Sequence, residues 1–170
     1  GGSFNPAISN DGLYVVFESQ ADNLVQVDTN RASDIFLYNT KTAEMFLLTT
    51  NTLSDQGNFN SFSPQISDDG QRVTFTSYAT NLVDENGDLD FSNDDNNRAA
   101  DIFLKVISDA ARPSLAGKTF RVSRTFTYQE TNGSSFHSSI SGDGTKVAFE
   151  SLASNITSGV GVSGISIIEH

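Results

Sequence analysis

The densest run of potential ligand atoms in this chain is acidic. Asp84, Asn86, Asp88 and Asp90 alternate along one segment, and Asp95 closes it. Hard cations such as calcium take oxygen ligands from Asp, Asn and backbone carbonyls. The segment is therefore a candidate calcium loop. It departs from an EF-hand loop, which needs Gly at its sixth position and Glu at its twelfth; Leu89 and Asp95 stand there instead. Asp84, Glu85, Asp88, Asp90, Asp94 and Asp95 repel one another unless something neutralises them. A solvated loop that keeps its charges in water is the other reading.

A second pattern occurs twice. Asp28-Thr29-Asn30-Arg31-Ala32-Ser33-Asp34 matches Asp95-Asn96-Asn97-Arg98-Ala99-Ala100-Asp101 in register. Asp28, Asn30, Asp34, Asn97 and Asp101 could offer oxygen to a cation. The same residues are turn formers, since Asp and Asn accept hydrogen bonds from backbone N–H groups two residues on. Recurrence of the pattern favours an architectural role over a single binding site.

Catalytic constellations are thin. His137 and His170 are the only imidazoles. His137 precedes Ser138 and Ser139, but neighbours in a strand point to opposite faces, and a nucleophile also needs an oriented base. Net charge is −11 with a pI near 4.3. Such a surface repels nucleic acid and anionic membrane, which both need clustered Lys and Arg. It suits basic partners or divalent cations. There is no cysteine, which excludes disulfides and thiolate metal sites. No stretch nears the roughly 20 apolar residues needed to span a bilayer.

The elements that position these residues are written as a repeat. Ser3–Val25, Ser61–Val83 and Ser135–Thr157 align without gaps. In each, a Phe and an Ile (Phe4 and Ile8, Phe62 and Ile66, Phe136 and Ile140) mark a short strand with one buried face. An Asp-Gly turn follows at Gly12, Gly70 and Gly144, where Gly accepts positive φ cheaply. Val15 and Phe17, Val73 and Phe75, and Val147 and Phe149 then share one face of a second strand. Third strands are predicted at Asp34–Leu37, Asp101–Leu104 and, more weakly, Gly164–Ile167. Fourth strands are predicted at Met45–Leu48 and Thr119–Val122. The segment 110–117 is a loop, because its Pro and Gly argue against a strand. Asn132-Gly133-Ser134 and Asn155-Ile156-Thr157 fit the glycosylation triplet, which arises often in Asn- and Ser-rich chains.

The expected fold is all-β: about three four-stranded antiparallel β-propeller blades, the last incomplete. The blades run over about 3–50, 61–124 and 135–170 of one partial propeller, the third lacking its fourth strand. Repeat starts 58 and 74 residues apart exceed the usual blade period, and the excess falls in loops. The pattern S-F-x-P-x-I-S-x-D-G-x-x-V-x-F-x-S, then A-x-N-L-V and D-I-F-L, resembles the TolB-type, WD-repeat-like propeller family. The third copy departs from it at Ser138 and Gly164. The resemblance implies a bacterial periplasmic or secreted propeller that presents interaction surfaces.

Three blades do not close such a ring, so the outer faces of the first and third are expected to expose apolar side chains. Two expectations follow: a homodimer completing six blades, or an arc cut from a longer propeller. The function expected is a non-enzymatic binding or scaffolding module with a protein partner, with calcium as a candidate stabilising ion. The alternative is the propeller part of a larger secreted peptidase or glycosidase.

Overall fold

The computed structural model describes residues 1–84 and 95–156, together with the backbone of one further strand at 164–169. Among the described residues, eleven strands form three antiparallel sheets, each a meander in chain order. The first sheet holds β1 (Ser3–Ile8), β2 (Tyr14–Ser19), β3 (Asp34–Asn39) and β4 (Glu44–Leu47). The second holds β5 (Ser61–Ile66), β6 (Arg72–Ser77), β7 (Asp101–Val106) and β8 (Thr119–Arg121). The third holds β9 (Ser135–Ile140), β10 (Lys146–Ser151) and β11 (Gly164–Glu169), three strands rather than four. The 110–117 loop contains one 3-10 turn, Pro113–Leu115. None of the described residues forms a helix long and apolar enough to cross a membrane.

The turn between the first two strands is built identically in all three sheets. Gly12, Gly70 and Gly144 take φ of +70°, +69° and +68°. The Ser of each Ser-x-Asp-Gly sequence donates its hydroxyl to the Asp two residues on: Ser9 to Asp11 at 2.6 Å, Ser67 to Asp69 at 2.6 Å and Ser141 to Asp143 at 2.5 Å. The same Ser oxygen accepts the N–H that opens the next strand, from Tyr14, Arg72 or Lys146. The Asp carboxylate takes a second N–H from Leu13, Gln71 or Thr145. These bonds hold the Asp143 carboxyl down at about 2.

Each first strand carries a feature that simple alternation does not reveal. The register shifts between Phe4 and Ala7 and between Phe62 and Gln65, and equivalently opposite Ala148 and Glu150. At each bulge a non-glycine residue takes positive φ: Asn5 at 49°, Ser63 at 54° and His137 at 52°. Two residues thus oppose one, and the strand turns its backbone away from its own ladder. Below the bulge, paired serines clip strand one to strand two. Ser3 meets Ser19 at 2.9 Å, Ser61 meets Ser77 at 2.8 Å and Ser135 meets Ser151 at 3.0 Å.

The sheets stack face to face. Between the first and second lie Val16, Ile35 and Leu37 on one side and Val73, Phe75 and Phe103 on the other. Between the second and third lie Ile102, Leu104 and Val122 against Val147 and Phe149. The cross-strand pairs Phe17–Phe36 and Phe75–Phe103 stack at 5.9 and 5.8 Å. Phe75 and Phe149 are fully covered, whereas Phe17, on the outer face of the first sheet, is half-buried. Phe4 and Ile8, expected on a buried face, are 52% and 61% exposed, because none of the described sheets lies over them. This is the exposed apolar end that an unclosed arc of blades requires. β1, β5 and β9 lie side by side along the inner edge of the arc.

Candidate functional site

Two places gather polar side chains: the repeated loop before the third strand, and the groove along the inner edge. In the first sheet, Asn30 completes a turn. Its Oδ1 accepts the Ala32 N–H at 2.8 Å, while its Nδ2 donates to the Gly57 carbonyl at 2.7 Å and to Asp34 Oδ2 at 2.9 Å. Arg31 takes φ of 59° at the apex. Gln56 bridges the two acids, donating from Nε2 to Asp28 Oδ1 at 2.7 Å and to Asp34 Oδ2 at 3.2 Å. Thr49 donates its hydroxyl to Asp34 Oδ1. Burial pushes the Asp34 carboxyl up, against these hydrogen bonds.

In the second sheet the same scaffold carries more charge. Asn97 makes the equivalent turn with the Ala99 N–H and the Thr131 carbonyl, and Arg98 takes φ of 53°. Glu130 occupies the place of Gln56. Its carboxylate accepts the N–H groups of Asn96 and Asn97 at 3.0 and 3.2 Å. Arg121 occupies the place of Leu47, with its side chain 1% exposed. Its Nη1 donates to Glu130 Oε1 at 2.8 Å, its Nε lies 3.8 Å from Asp101 Oδ2, and its guanidinium sits over the Phe103 ring. Ser123 donates to Asp101 Oδ1 at 2.5 Å.

Carboxylate oxygens of Asp95, Asp101 and Glu130 lie within 4.8 Å of one another, a spacing able to hold an ion. Asp95 Oδ2 and Asp101 Oδ2 are buried without a hydrogen-bond partner. Arg121 stands in the same cluster and supplies positive charge from within the chain. Burial raises the Asp95 carboxyl to about 7, opposed by Arg121 and reinforced by its contact with Glu130. Burial likewise raises Asp101 to about 6, again opposed by Arg121.

Among the residues the sequence pointed to, Asp95, Asn97 and Asp101 come together in one loop, and Asp28, Asn30 and Asp34 in its counterpart. Both Asn amides are spent on turn hydrogen bonds. Asp84 is half-buried. Asn86, Asp88 and Asp90 lie outside the described residues, as does His170. Glu130, Arg121 and Gln56 were not singled out by the sequence reading. Extending the repeat alignment backward from each Ser-Phe pair would have found them, because Gln56 and Glu130 both stand five residues before it.

The inner groove has a volume of about 420 Å³ and is lined by Asn5, Pro6, Ser63, Gln65, His137 and Ser138. Its walls are the three bulges. Glu18 accepts the Ser63 N–H at 2.8 Å across the first seam. His137 pairs with Glu150 at 3.0 Å, both well exposed. Ser138 is buried and donates to Thr74 Oγ1 at 3.2 Å, so its hydroxyl is engaged by β6. Lys105 is the one buried lysine among the described residues, and burial lowers it to about 8. Its ammonium donates to the Thr50 carbonyl and to the hydroxyls of Thr50 and Thr119. The two bonds to Thr50 tie the second sheet to the connector after β4, and the third stays within the second sheet. Asn132 of the first glycosylation triplet is also engaged, donating to Ser154 Oγ at 2.8 Å.

Neither a family model nor a curated protein matches this chain. Solved structures do. A putative TolB from Agrobacterium tumefaciens aligns over 89% of this chain and 39% of its own length, at 16% identity and a TM-score of 0.52. TolB from Acinetobacter baumannii aligns over 97% of this chain and 32% of its own, at 17% identity and a TM-score of 0.49. The β-propeller domain of the Trilobed protease from Pyrococcus furiosus aligns over 89% of this chain and 50% of its own, at 16% identity and a TM-score of 0.33. The chain has a TolB-like β-propeller fold. It spans between about a third and two-fifths of the two TolB chains' length. At these identities the likeness concerns the fold alone.

Proposed function

We propose that the chain is the arc of a non-enzymatic β-propeller module that binds an extended, basic protein segment along its inner groove. The observation that carries this reading is the triple bulge. At 5–6, 63–64 and 137–138, two residues of an inner strand oppose a single residue of the neighbouring strand. Backbone polar groups that leave a ladder seek other partners, and here they stand beside the polar side chains of Asn5, Ser63, Gln65 and His137. Such a surface matches the alternating donors and acceptors of an extended peptide. The charge of −11 favours a basic one. The non-enzymatic reading is supported by the engagement of both groups elsewhere: His137 pairs with Glu150, and the Ser138 hydroxyl donates to Thr74 of β6.

The test is selection of phage-displayed 12-residue peptides on the immobilised chain, followed by titration calorimetry of the recovered peptides. Recovered sequences should be rich in Lys and Arg, bind more weakly as salt rises, and lose at least tenfold in affinity on Gln65→Arg. Peptides indifferent to Gln65→Arg, or none recovered above background, would remove the groove from consideration.

A further inference from the structure

The acids before β7 present more acceptor oxygens than their surroundings have donors. Asp101 is fully buried and Asp95 is 6% exposed. Ser123 donates to Asp101 Oδ1, and the Arg98 N–H donates to Asp95 Oδ1. The second oxygen of each, Asp101 Oδ2 and Asp95 Oδ2, is buried with no hydrogen-bond partner. Glu130 spends Oε1 on the Asn96 and Asn97 N–H groups and on Arg121 Nη1. Its Oε2 has only a share of the Asn96 N–H, at 3.3 Å. A buried acceptor left without a donor is costly, and more so when it is charged.

The matching loop of the first sheet shows what fills this place. There Gln56 Nε2 sits between the two acids, donating to Asp28 Oδ1 at 2.7 Å and to Asp34 Oδ2 at 3.2 Å. Asp95, Asp101 and Glu130 are the repeat equivalents of Asp28, Asp34 and Gln56. An ionised carboxylate only accepts. Glu130 therefore brings a third acceptor to the position where Gln56 brings donors.

Arg121 stands in the cluster without a hydrogen bond to either orphaned oxygen. Its Nε lies 3.8 Å from Asp101 Oδ2, too far for one. Three carboxylates and one guanidinium sum to two negative charges, which a single divalent cation cancels. The Asp95 carboxyl also touches that of Glu130, and two ionised carboxylates in contact need a cation or a proton between them. The three residues offer oxygens within 4.8 Å of one another. Calcium holds oxygens at about 2.3–2.6 Å, so its opposite ligands stand up to about 5 Å apart. The cluster falls inside that span. Calcium also tolerates an irregular shell, whereas magnesium demands a near-ideal octahedron and keeps several waters. Glu130, with its side chain 20% exposed, gives the path of entry.

We propose that Asp95, Asp101 and Glu130 hold a calcium ion at the place that the Gln56 amide nitrogen takes in the first loop. Each gives one carboxylate oxygen, and water completes the shell. The ion cross-links the loop before β7 to the connector before β9. That connector already meets the third sheet, since the Glu130 carbonyl accepts Asn155 Nδ2. An ionic staple on the second sheet thus replaces the amide staple of the first. Without the ion, protons relieve the same charge, which is the state that the raised Asp95 and Asp101 carboxyls describe. None of the three residues lines the peptide groove, so either reading can fail alone.

Calorimetric titration of calcium chloride into the chelator-treated chain tests this, with thermal melting followed by circular dichroism. The expected result is a site tighter than about 1 mM, and a melting point raised by about 2–4 °C in about 5 mM calcium. Glu130→Gln installs the amide of the first loop and should weaken that site at least tenfold in a chain that still folds. Asp95→Asn should do the same, and stands in if Glu130→Gln does not fold. Asp28→Asn, in the neutral loop, should leave binding unchanged. Magnesium chloride should bind at least tenfold more weakly. No heat and no melting shift in about 5 mM calcium, roughly fivefold above a millimolar constant, overturns the proposal. Calcium held equally by the wild type, Glu130→Gln and Asp95→Asn also overturns it, because the ion then sits on other acids. Magnesium bound as tightly as calcium overturns the choice of ion.

Discussion

The loops before β3 and before β7 share a backbone and differ in how they manage buried acid. Around Asp28 and Asp34 the partner is an amide. Gln56 places one neutral donor group between two carboxylates, and Leu47 contributes no charge. Around Asp95 and Asp101 the amide has become Glu130 and the leucine has become Arg121. The exchange adds one negative and one positive charge, so net charge is conserved while two more ions enter the interior. A single turn architecture thus tolerates either a neutral or an ionic solution, provided both positions change together. Burying ions is costly unless they are paired and hydrogen-bonded. Arg121 meets that condition through Glu130, Asp101 and the Phe103 ring.

Removing half of the exchange should have the largest effect. Arg121→Leu leaves three carboxylates without their buried cation and should cost about 3–5 kcal/mol in urea unfolding. Adding Glu130→Gln to it recreates the pair of the first sheet and should recover most of that loss. A harmless Arg121→Leu would show that the ion pair carries nothing. A smaller effect is expected from pH. Asp95 and Asp101 have folded values raised to about 7 and about 6 from an ordinary 3.8. The folded state therefore binds more protons than the unfolded chain between about pH 4 and pH 7, and stability should fall as pH rises through that window. A drop on the order of 2 kcal/mol is expected between pH 5 and pH 8, flattened in Asp95→Asn. A curve rising across the window would contradict the buried-acid reading. The smallest effect belongs to the neutral loop. Gln56→Ala deletes its two donated bonds and should cost roughly 1–2 kcal/mol, with little pH dependence added.

The blades were legible because their turns are chemical. Ser9, Asp11 and Gly12 each have a specific bond or dihedral to satisfy, so their spacing announces a strand on either side. The three-stranded third sheet followed from counting repeats, whereas Phe4, expected on a buried face, is exposed. The bulges were hidden, because Asn5, Ser63 and His137 are not glycines and no composition rule marks them as left-handed. The Arg121–Glu130 pair was hidden for another reason. Its members lie in β8 and the connector after it, outside the Ser-Phe to Asn-Leu-Val pattern, and face Asp95 and Asp101 only once the sheet has formed. Asp95 and Asp101 were visible as a pair of acids in a turn, while their positive partner was not.

Every sheet here is a simple meander, with each strand bonded to the strand made just before it. The pairings that must form are therefore between chain neighbours, and even the connection over 78–100 between β6 and β7 forfeits only modestly more chain entropy than a short one. Synthesis delivers the strands in the order in which they pair, so one sheet can be assembled before the next has left the ribosome. Each later sheet then finds a finished face to condense on. Such a topology allows assembly in one direction along the polypeptide, like courses of brick laid one on another.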